Sequence, residues 1–340
     1  MLFRSYSVYF PIAEVLAAAG TGLLVWWGAQ GVLENEITLG TLIAFLMYIA
    51  MFFRPIRVIA DKFNTLQMGI VCSARVLKLL EDKSHFTLSD QDLELNDIES
   101  IEFKNVWFAY DSDYYVLKNI SFTVTKGQNI AIVGATGSGK STIIQLINRN
   151  YDIQKGSILI NGINIENYNL SSLRKKIGFV LQDVFLFSDT IRNNITLGNP
   201  EISEIDFLET SKYIGVDIFA NQIAGKYDYN VMERGSTLSV GQRQLISFAR
   251  AMVYKPSLMI LDEATSSIDS EKEEAIQTAM QKIMKKQTSI VIAHRLSTIQ
   301  NADCILVMHK GEIAESGTHE ILLAQNCMYY ELCQMQFQVL

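Results

Sequence analysis

The segment "GATGSGKST", residues 134–142, has the residue types and the spacing that bind phosphate oxygens. Its glycines let the backbone turn tightly and direct N–H groups toward one anion, and the dipole of the following helix adds to that field. Lys140 supplies a positive charge for the β and γ phosphates, and the Ser141 hydroxyl is a ligand for Mg²⁺. The apolar run "NIAIV" comes directly before, so the order strand, loop, helix predicts a nucleotide-binding loop. The glycines are Gly134, Gly137 and Gly139.

Three further candidates stand where predicted apolar strands end. Residues 257–265 read "SLMILDEAT", and we expect Asp262 to hold Mg²⁺, directly or through water. Glu263 is placed to act on the water that attacks the phosphate, although acids at a helix start are also common as plain caps. His294 ends the strand in "SIVIAHRLS". A lone histidine is more often structural, but strand ends are where α/β sheets hold their ligands.

A second glycine-containing segment, "LSVGQRQ" at residues 238–244, opens another predicted helix much later in the chain. It also offers a hydroxyl and backbone N–H groups at a helix N-terminus, which favour an anion. One chain therefore carries two segments suited to the same triphosphate.

The elements around these candidates alternate between strands and helices. "SIEFKNVWFAY", residues 100–110, alternates in the manner of a half-buried strand, and "NISFTV" follows it. Continuous apolar runs precede both the glycine-rich loop and Asp262, as expected for buried strands of a parallel sheet. The pattern predicts an α/β fold of the P-loop type.

Two uncharged apolar runs, residues 15–33 and 37–53, stand near the N-terminus with "ENE" between them. Each is just long enough for a membrane helix, which needs roughly 17–25 such residues. Because lipid does not tolerate unpaired backbone groups, the runs predict two transmembrane helices, about 8–33 and 37–57, joined by a short turn. Basic residues flank the pair, so the positive-inside rule places both ends in the cytoplasm. A buried helical hairpin of a soluble domain is the alternative.

Apolar residues recur at helical spacing from 58 to 80, which predicts a cytoplasmic extension of the second helix. The polar and acidic residues 81–98 predict a linker. The expected organisation is a partial transmembrane domain at 1–80, the linker, and a nucleotide-binding domain at 99–340.

Charge and cysteine usage exclude other classes of protein. The net charge is −7 and the pI about 5.3, and no basic patch dominates, so nucleic acid is not an expected partner. The four cysteines form no CxxC pair, which is typical of reduced thiols rather than of a disulfide frame or a zinc site.

From residue 99 onward the chain resembles the nucleotide-binding domain of an ABC transporter. With the hairpin, it resembles the C-terminal part of an ABC exporter half-transporter of the lipid- and multidrug-exporting type, and the motifs occur in the family's order. The resemblance implies a P-loop NTPase domain with a β-subdomain and a helical subdomain. It also implies ATP and Mg²⁺ as ligands and ATP hydrolysis coupled to export. A half-transporter of this type has six membrane helices, and this chain resembles the last two.

The resemblance assigns roles to residues around the predicted loop. Tyr110 matches the aromatic residue that stacks on adenine, and Gln182 in "VLQDVFLF" matches the Q-loop residue that meets Mg²⁺. Asp262 and Glu263 match the Walker B aspartate and the catalytic glutamate. His294 matches the switch histidine, which contacts the γ-phosphate.

The Walker A motif, the family signature and the D-loop supply the remaining expected ATP contacts. "LSVGQ" gives Ser239, Gly241 and Gln242, and "SSID" ends in Asp269 of the D-loop. The Walker A positions are Gly134, Ala135, Thr136, Gly137, Ser138, Gly139, Lys140, Ser141 and Thr142.

Two positions depart from the family's pattern. The signature commonly has glycine where this chain has Val240, and the segment upstream often reads "GERG" where this chain has "MERG", with Met232 first. Neither change removes a catalytic group.

The resemblance explains why one chain has two such segments. In the family, two domains pair head to tail, and each ATP lies between one chain's Walker A motif and the other chain's signature. The implied partners are a second half-transporter subunit, identical or different, and the bilayer of the cytoplasmic (inner) membrane, with the ATPase domain in the cytoplasm. Two alternatives stay open: a soluble ABC-type ATPase, and a truncated fragment that binds or hydrolyses ATP without transport.

Overall fold

A computed structural model of the chain describes residues 2–81, 93–111, 114–181, 183–262, 270–293 and 296–337. The chain divides into two compact units, Met1–Phe86 and Thr87–Leu340. The division falls inside the predicted linker. Residues 93–98 of that linker pack into the second unit, because Leu95 and Ile98 are buried there and Leu93 pairs with Tyr168.

The first unit is a pair of long helices, α1 (Leu2–Leu33) and α2 (Leu39–Glu81), joined by a short turn. α1 begins earlier than the predicted residue 8. α2 is one helix that contains both the predicted membrane helix and its predicted extension, and it continues through Pro55. Gly28 lets the helices approach closely, because a Cβ atom there would overlap the side chain of Leu42.

The helix surfaces of the first unit expose large apolar side chains, including Trp26, Trp27 and Phe52, each about two thirds exposed or more. Glu14–Leu33 is long and apolar enough to cross a membrane, and Leu39–Pro55 is a shorter apolar segment. Apolar residues all round a helix suit a lipid environment rather than water.

The second unit contains two sheets, ten α-helices and three one-turn 3-10 helices within the residues that the structure describes. The strands are β1 (Ser100–Phe108), β2 (Leu117–Thr125), β3 (Asn129–Gly134), β4 (Lys155–Ile160), β5 (Ile163–Asn164), β6 (Ile177–Val180), β7 (Leu258–Asp262), β8 (Thr288–Ile292), β9 (Cys304–His309) and β10 (Glu312–Gly317). The helices are α3 (Lys140–Ile147), α4 (Leu170–Lys175), α5 (Ile191–Thr196), α6 (Glu204–Ile214), α7 (Val216–Ala220), α8 (Val240–Val253), α9 (Ser270–Lys286), α10 (Leu296–Gln300), α11 (His319–Ala324) and α12 (Met328–Phe337).

One sheet is antiparallel, with strand order β2-β1-β4-β5, and forms a β-subdomain. The other has the order β10-β9-β3-β8-β7-β6, in which β6, β7, β8, β3 and β9 are parallel and β10 is antiparallel to β9. The strand that precedes the glycine-rich loop, β3, lies inside this sheet, so its end is held by neighbours on both sides.

The six-stranded sheet separates two hydrophobic cores. Along β3, Ile130 and Ile132 face the core that contains α3 and the β-subdomain, whereas Ala131 and Val133 face the core that contains α5–α9. Successive strand residues point to opposite faces, so α3 and α8 lie on opposite sides of the sheet. The predicted fold class is confirmed: a P-loop α/β domain with a β-subdomain and a helical subdomain, together with an apolar helical hairpin.

Candidate functional site

The loop between β3 and α3 has a backbone that requires glycine. Gly134, Gly137 and Gly139 have φ angles of 145°, 80° and 104°, in the region that residues with a Cβ atom rarely adopt. A Cβ atom on Gly134 would overlap the carbonyl oxygen of Met308, and one on Gly139 would come 2.6 Å from the Leu117 side chain. The loop therefore keeps a tight turn directly before α3, which a residue with a Cβ atom at these positions would disturb.

Lys140 is buried at the base of this loop, with 8% of its surface exposed. Its Nζ donates hydrogen bonds to the carbonyl oxygens of Gly134 (2.7 Å) and Ala135 (3.0 Å). Burial lowers the pKa of the Lys140 ammonium group, and the negative charge of Asp262 opposes part of that shift. A charge with so little water around it interacts strongly with an anion that enters the loop.

The loop also contains a hydroxyl that lacks a hydrogen-bond partner. Ser138 is 4% exposed, and its Oγ makes no hydrogen bond in the part of the chain that the structure describes. Ala135, Thr136 and Gly137 form the exposed tip of the loop, and the Ser141 side chain is also exposed. A buried polar atom is costly unless it is paired, so an anionic oxygen in the loop fits this unsatisfied hydroxyl.

Tyr110 lies beside the first turn of α3. Its hydroxyl is 3.2 Å from Oγ1 of Thr142, and half of its surface is exposed. The rings of Phe108 and Tyr151 contact it edge to face, with centroids 4.9 and 5.0 Å away. Tyr110 thus offers a partly exposed aromatic surface one turn along from the glycine-rich loop.

Asp262 ends β7, at the same edge of the sheet where β3 runs into the loop. β8 separates the two strands, and Asp262 pairs with Ile292 of β8 in register. Its negative charge raises the pKa of Lys140 against the lowering effect of burial. The predicted site residues Gln182, Glu263, Asp269 and His294 lie outside the described residues.

Ser239 begins α8 as its N-cap. The Ser239 Oγ accepts a hydrogen bond from the Gln242 backbone N–H (3.3 Å), and the Gln242 side chain accepts one from the Ser239 N–H (2.9 Å). This reciprocal pair is a capping box. Gly241 is buried and Val240 is 47% exposed.

The structure brings the glycine-rich loop, Tyr110 and Asp262 to one edge of the six-stranded sheet. Ser239 is placed differently from these three. The helix that it caps, α8, packs on the opposite face of the sheet from α3. Sequence reasoning missed Tyr151 and Gln154, which follow α3 and contact the Tyr110 region. No motif marks them, and the pairing of "YDIQ" with β1 is visible only in the fold.

Comparison with known proteins identifies the family of this domain. Residues 117–266 match the family model described as "ABC transporter". The chain is 42% identical, over 98% of its length, to the "Uncharacterized ABC transporter ATP-binding protein YknV" of Bacillus subtilis, and 42% identical, over 96% of its length, to the "ATP-dependent lipid A-core flippase" of Syntrophus aciditrophicus. It matches the "Structure of a bacterial Atm1-family ABC exporter with ATP bound" over 99% of its length, with a TM-score of 0.69 and 35% identity.

The chain spans only part of each of these proteins. It covers 56% of the Bacillus relative, 55% of the Syntrophus relative and 58% of the exporter structure. The similarity includes the apolar hairpin as well as the P-loop domain, because nearly the whole chain is matched.

Proposed function

We propose that this chain, whose P-loop domain belongs to the ABC transporter family, binds and hydrolyses ATP as a subunit of an exporter. The cargo class that fits is a lipid, a drug or another amphipathic compound, moved across the cytoplasmic membrane. The observation that carries the ATPase proposal is the loop itself, where Lys140 is buried and the Ser138 hydroxyl has no hydrogen-bond partner among the described residues. These groups suit the oxygens of a polyphosphate.

Within this site, Lys140 would exchange its two carbonyl partners for oxygens of the β and γ phosphates. Tyr110 would stack on the base, and Ser138 and the loop N–H groups would bind phosphate oxygens. The hydroxyl of Ser141, the carboxylate of Asp262 and the amide of Gln182 are hard oxygen ligands of the kind that Mg²⁺ takes. When bound, Mg²⁺ would neutralise charge on the phosphates.

The proposed chemical step is the attack of water on the γ-phosphorus, in line with the leaving oxygen. Glu263 would orient that water or accept its proton, and His294 would contact the γ-phosphate. Most of the rate enhancement would come from positioning and from fixed charges in a site that excludes water.

We further propose that the ATP site is completed by a second subunit. The α8 N-terminus carries Ser239 and Gly241 on the face of the sheet opposite α3, so it suits a nucleotide held by another chain. Two chains paired head to tail would form two sites, each with the Walker A loop of one chain and the signature of the other. Asp269 would lie in that interface. The Atm1-family exporter match supports this assembly.

The apolar hairpin supports a place in the membrane. α1 and the first part of α2 would span the bilayer, with the turn at 34–38 outside and both ends in the cytoplasm. The remainder of α2 would extend into the cytoplasm, where the ATPase domain lies.

A complementation experiment tests the shared site. Lys140→Met disables a Walker A loop, and Ser239→Asp places a negative charge against the γ-phosphate, so each variant alone should lack ATP turnover. In a mixed dimer, the intact Walker A loop of one chain meets the intact signature of the other. An equimolar mixture should therefore recover about a quarter of the parental rate if pairing is random and sites act independently.

Two results would overturn parts of the proposal. If the parent chain does not hydrolyse ATP, the ATPase assignment is wrong. If the parent is active but the mixture is as inactive as the single variants, each chain does not lend its signature to a neighbour. A mixture of Lys140→Met with Lys140→Met,Ser239→Asp chains serves as the matched control, because it contains no intact pair of segments.

A further inference from the structure

The loop that follows α3 is pinned to β1 directly beside Tyr110. The Gln154 side chain pairs with the backbone of Ala109 in both directions: its Oε1 accepts from the Ala109 N–H at 2.8 Å, and its Nε2 donates to the Ala109 carbonyl at 3.0 Å. The backbone N–H of Gln154 also donates to the Trp107 carbonyl at 3.2 Å. Ala109 is 4% exposed, so these bonds satisfy buried groups that water does not reach.

Tyr151, in the same loop, holds the Tyr110 ring from the side. The rings of Tyr110 and Tyr151 are 5.0 Å apart at 87°, and both contact Phe108, which is buried. Edge-to-face pairs of this kind stabilise one another beyond their apolar burial. The three rings therefore limit the rotamers that Tyr110 can adopt while about half of its surface stays open.

The loop is itself rigidly attached, so it can serve as a support. The Arg174 guanidinium donates hydrogen bonds to the carbonyl oxygens of Asn148 and Arg149 and to Oδ1 of Asn150, at 2.9–3.2 Å. The Arg149 side chain, 7% exposed, donates to the Tyr168 carbonyl at 2.9 Å. The Asn150 N–H returns to the Gln145 carbonyl of α3 at 2.9 Å.

We propose that Tyr151 and Gln154 are positioning residues that fix the Tyr110 ring as the stacking surface for the nucleotide base. This inference rests on the proposed ATP binding. α3 begins at the phosphate-binding loop and ends at the loop that holds the Tyr110 ring, so one helix sets the distance between the phosphate contacts and the base contact. Tyr151 and Gln154 act through Tyr110, and neither is expected to touch the phosphates.

Binding of two ligands to the full chain separates the base contact from the phosphate contact. The probes are adenylyl imidodiphosphate, which has a base, and inorganic tripolyphosphate, which has none, each titrated calorimetrically with Mg²⁺. Tyr151→Leu and Gln154→Leu should raise the Kd for the nucleotide about two- to tenfold, the range of one lost aromatic or backbone contact. The Kd for tripolyphosphate should not change, and Tyr151→Phe should restore nucleotide affinity because the ring pair remains.

A double variant shows whether Tyr151 acts through Tyr110. In a Tyr110→Ala background, Tyr151→Leu should add no further loss of nucleotide affinity, since the ring that it supports is gone. Tyr330→Leu, a tyrosine on α12 whose hydroxyl accepts from Gln334, should leave both Kd values at the parental level.

Each failure has a separate signature. A parent chain that binds neither ligand contradicts the proposed ATP binding. A parent that binds both, with Tyr151→Leu unchanged for the nucleotide, contradicts the positioning role. Equal losses for nucleotide and tripolyphosphate, or full additivity with Tyr110→Ala, would mean that Tyr151 supports the fold rather than the stacking surface.

Discussion

Lys140 is proposed to favour phosphate binding, but its burial destabilises the unliganded fold. Its ammonium group is buried, and burial lowers its pKa because the charged form loses hydration. Among the described residues, the carbonyl oxygens of Gly134 and Ala135 and the charge of Asp262 offset part of that loss. If Lys140 binds phosphate as proposed, its burial favours the bound state at a cost to the unliganded fold.

We expect Lys140→Met to unfold at the same or a higher temperature than the parent when no nucleotide is present, because an apolar side chain of similar length needs no hydration. With MgATP at about 100 times the parental Kd, the parent should gain roughly 2.7 kcal/mol and the variant almost nothing. Thermal unfolding with and without MgATP measures both effects. Marked destabilisation of the unliganded variant would show that the carbonyl hydrogen bonds outweigh the desolvation of Lys140.

Met232 has a backbone conformation that suits glycine. Its φ is 58° and its ψ −174°, and its side chain is 55% exposed. A side chain in such a region costs of order 1–3 kcal/mol. Glycine would relieve that strain, but its greater freedom in the unfolded chain would offset about 0.5–1 kcal/mol of the gain. We expect Met232→Gly to stabilise the chain by about 1 kcal/mol, seen as a higher unfolding midpoint. Met232→Ala, which keeps a Cβ atom, is the control and should gain little; a gain equal to that of glycine would contradict the strain.

Residue types and spacing were enough to predict the glycine-rich loop, because a glycine, a lysine and a hydroxyl at fixed intervals have a direct chemical meaning. Tyr110 needed the family resemblance, since an aromatic residue after a strand is usually a core residue. Tyr151 and Gln154 could not be predicted, because their role depends on β1 and the post-α3 loop being neighbours in space. The roles of Gln182, Glu263, Asp269 and His294 stay predictions.

The residue that caps α8, Ser239, is also the residue proposed to contact the γ-phosphate of a neighbouring chain's ATP. The Ser239 hydroxyl accepts the Gln242 N–H in the capping box. Aspartate caps a helix as well as serine does, whereas alanine costs about 1 kcal/mol. Stability and function can therefore be separated by the choice of substitution.

We expect Ser239→Asp to unfold within a few tenths of a kcal/mol of the parent and to lose ATP turnover, because its charge would repel the γ-phosphate of a neighbour's ATP. Ser239→Ala should lower the unfolding free energy by about 1 kcal/mol but should lose only part of the ATP turnover. Chemical unfolding and steady-state ATPase rates provide the comparison. Undiminished turnover in Ser239→Asp would show that the signature segment does not contact the hydrolysed ATP.

The first residues of the second unit, 93–99, are stabilised by ion pairs as well as by the burial of Leu95 and Ile98. Nζ of Lys126 lies 2.7 Å from carboxylate oxygens of both Asp97 and Glu99. The hydrogen bond from Lys126 lowers the pKa of Asp97 to about 2, below its ordinary value of 3.8. The residues 93–99 are in this way tied to the β2–β3 turn.

A depressed carboxyl pKa stabilises the fold above the unfolded pKa, and that stabilisation disappears as the pH falls through the folded pKa. We therefore expect Asp97→Asn to lower the unfolding midpoint modestly at pH 6, with the difference shrinking between pH 4 and pH 2. Exposed ion pairs contribute little, so the effect should also diminish in high salt. A difference that persists unchanged at pH 2 would assign the loss to side-chain packing rather than to charge.

The helix and strand patterns were predictable where one face is buried, as in β1 and α8, because burial imposes a period on the sequence. The junctions were less predictable. Polar residues at 81–98 resemble a linker by composition, yet Leu95 and Ile98 pack into the second unit. α2 continues through Pro55, although a proline inside a helix removes one backbone hydrogen bond.

In the whole molecule, the two segments proposed to bind ATP begin helices that pack on opposite faces of one sheet, which suits two different nucleotides. α3 and α8 belong to cores on opposite faces of one sheet. That separation cannot be read from local patterns, because it depends on the strand order β10-β9-β3-β8-β7-β6. The family resemblance predicts a head-to-tail pairing of two such domains, and that pairing stays a prediction.

If two chains form each site, ATP turnover per chain should fall as the protein is diluted below its dimerisation constant, and restoring the concentration should recover it. Rates measured over a thousandfold dilution range in detergent or in nanodiscs of defined occupancy would show the dependence. The Lys140→Met chain, added in excess to a dilute parent, should raise turnover because its signature remains intact. A rate per chain that stays constant down to strictly monomeric protein would contradict the shared site.

α2 has one more mechanical property. As a continuous helix of 43 residues, it is about 65 Å long at 1.5 Å per residue, roughly twice the 30 Å thickness of a hydrocarbon layer. A rod pivoted at the edge of that layer has a free arm of about 35 Å, so a tilt of only 10° swings its tip sideways by about 6 Å, more than one helical turn. A small change of angle at the pivot thus becomes a movement at the tip that is as large as the width of a side chain.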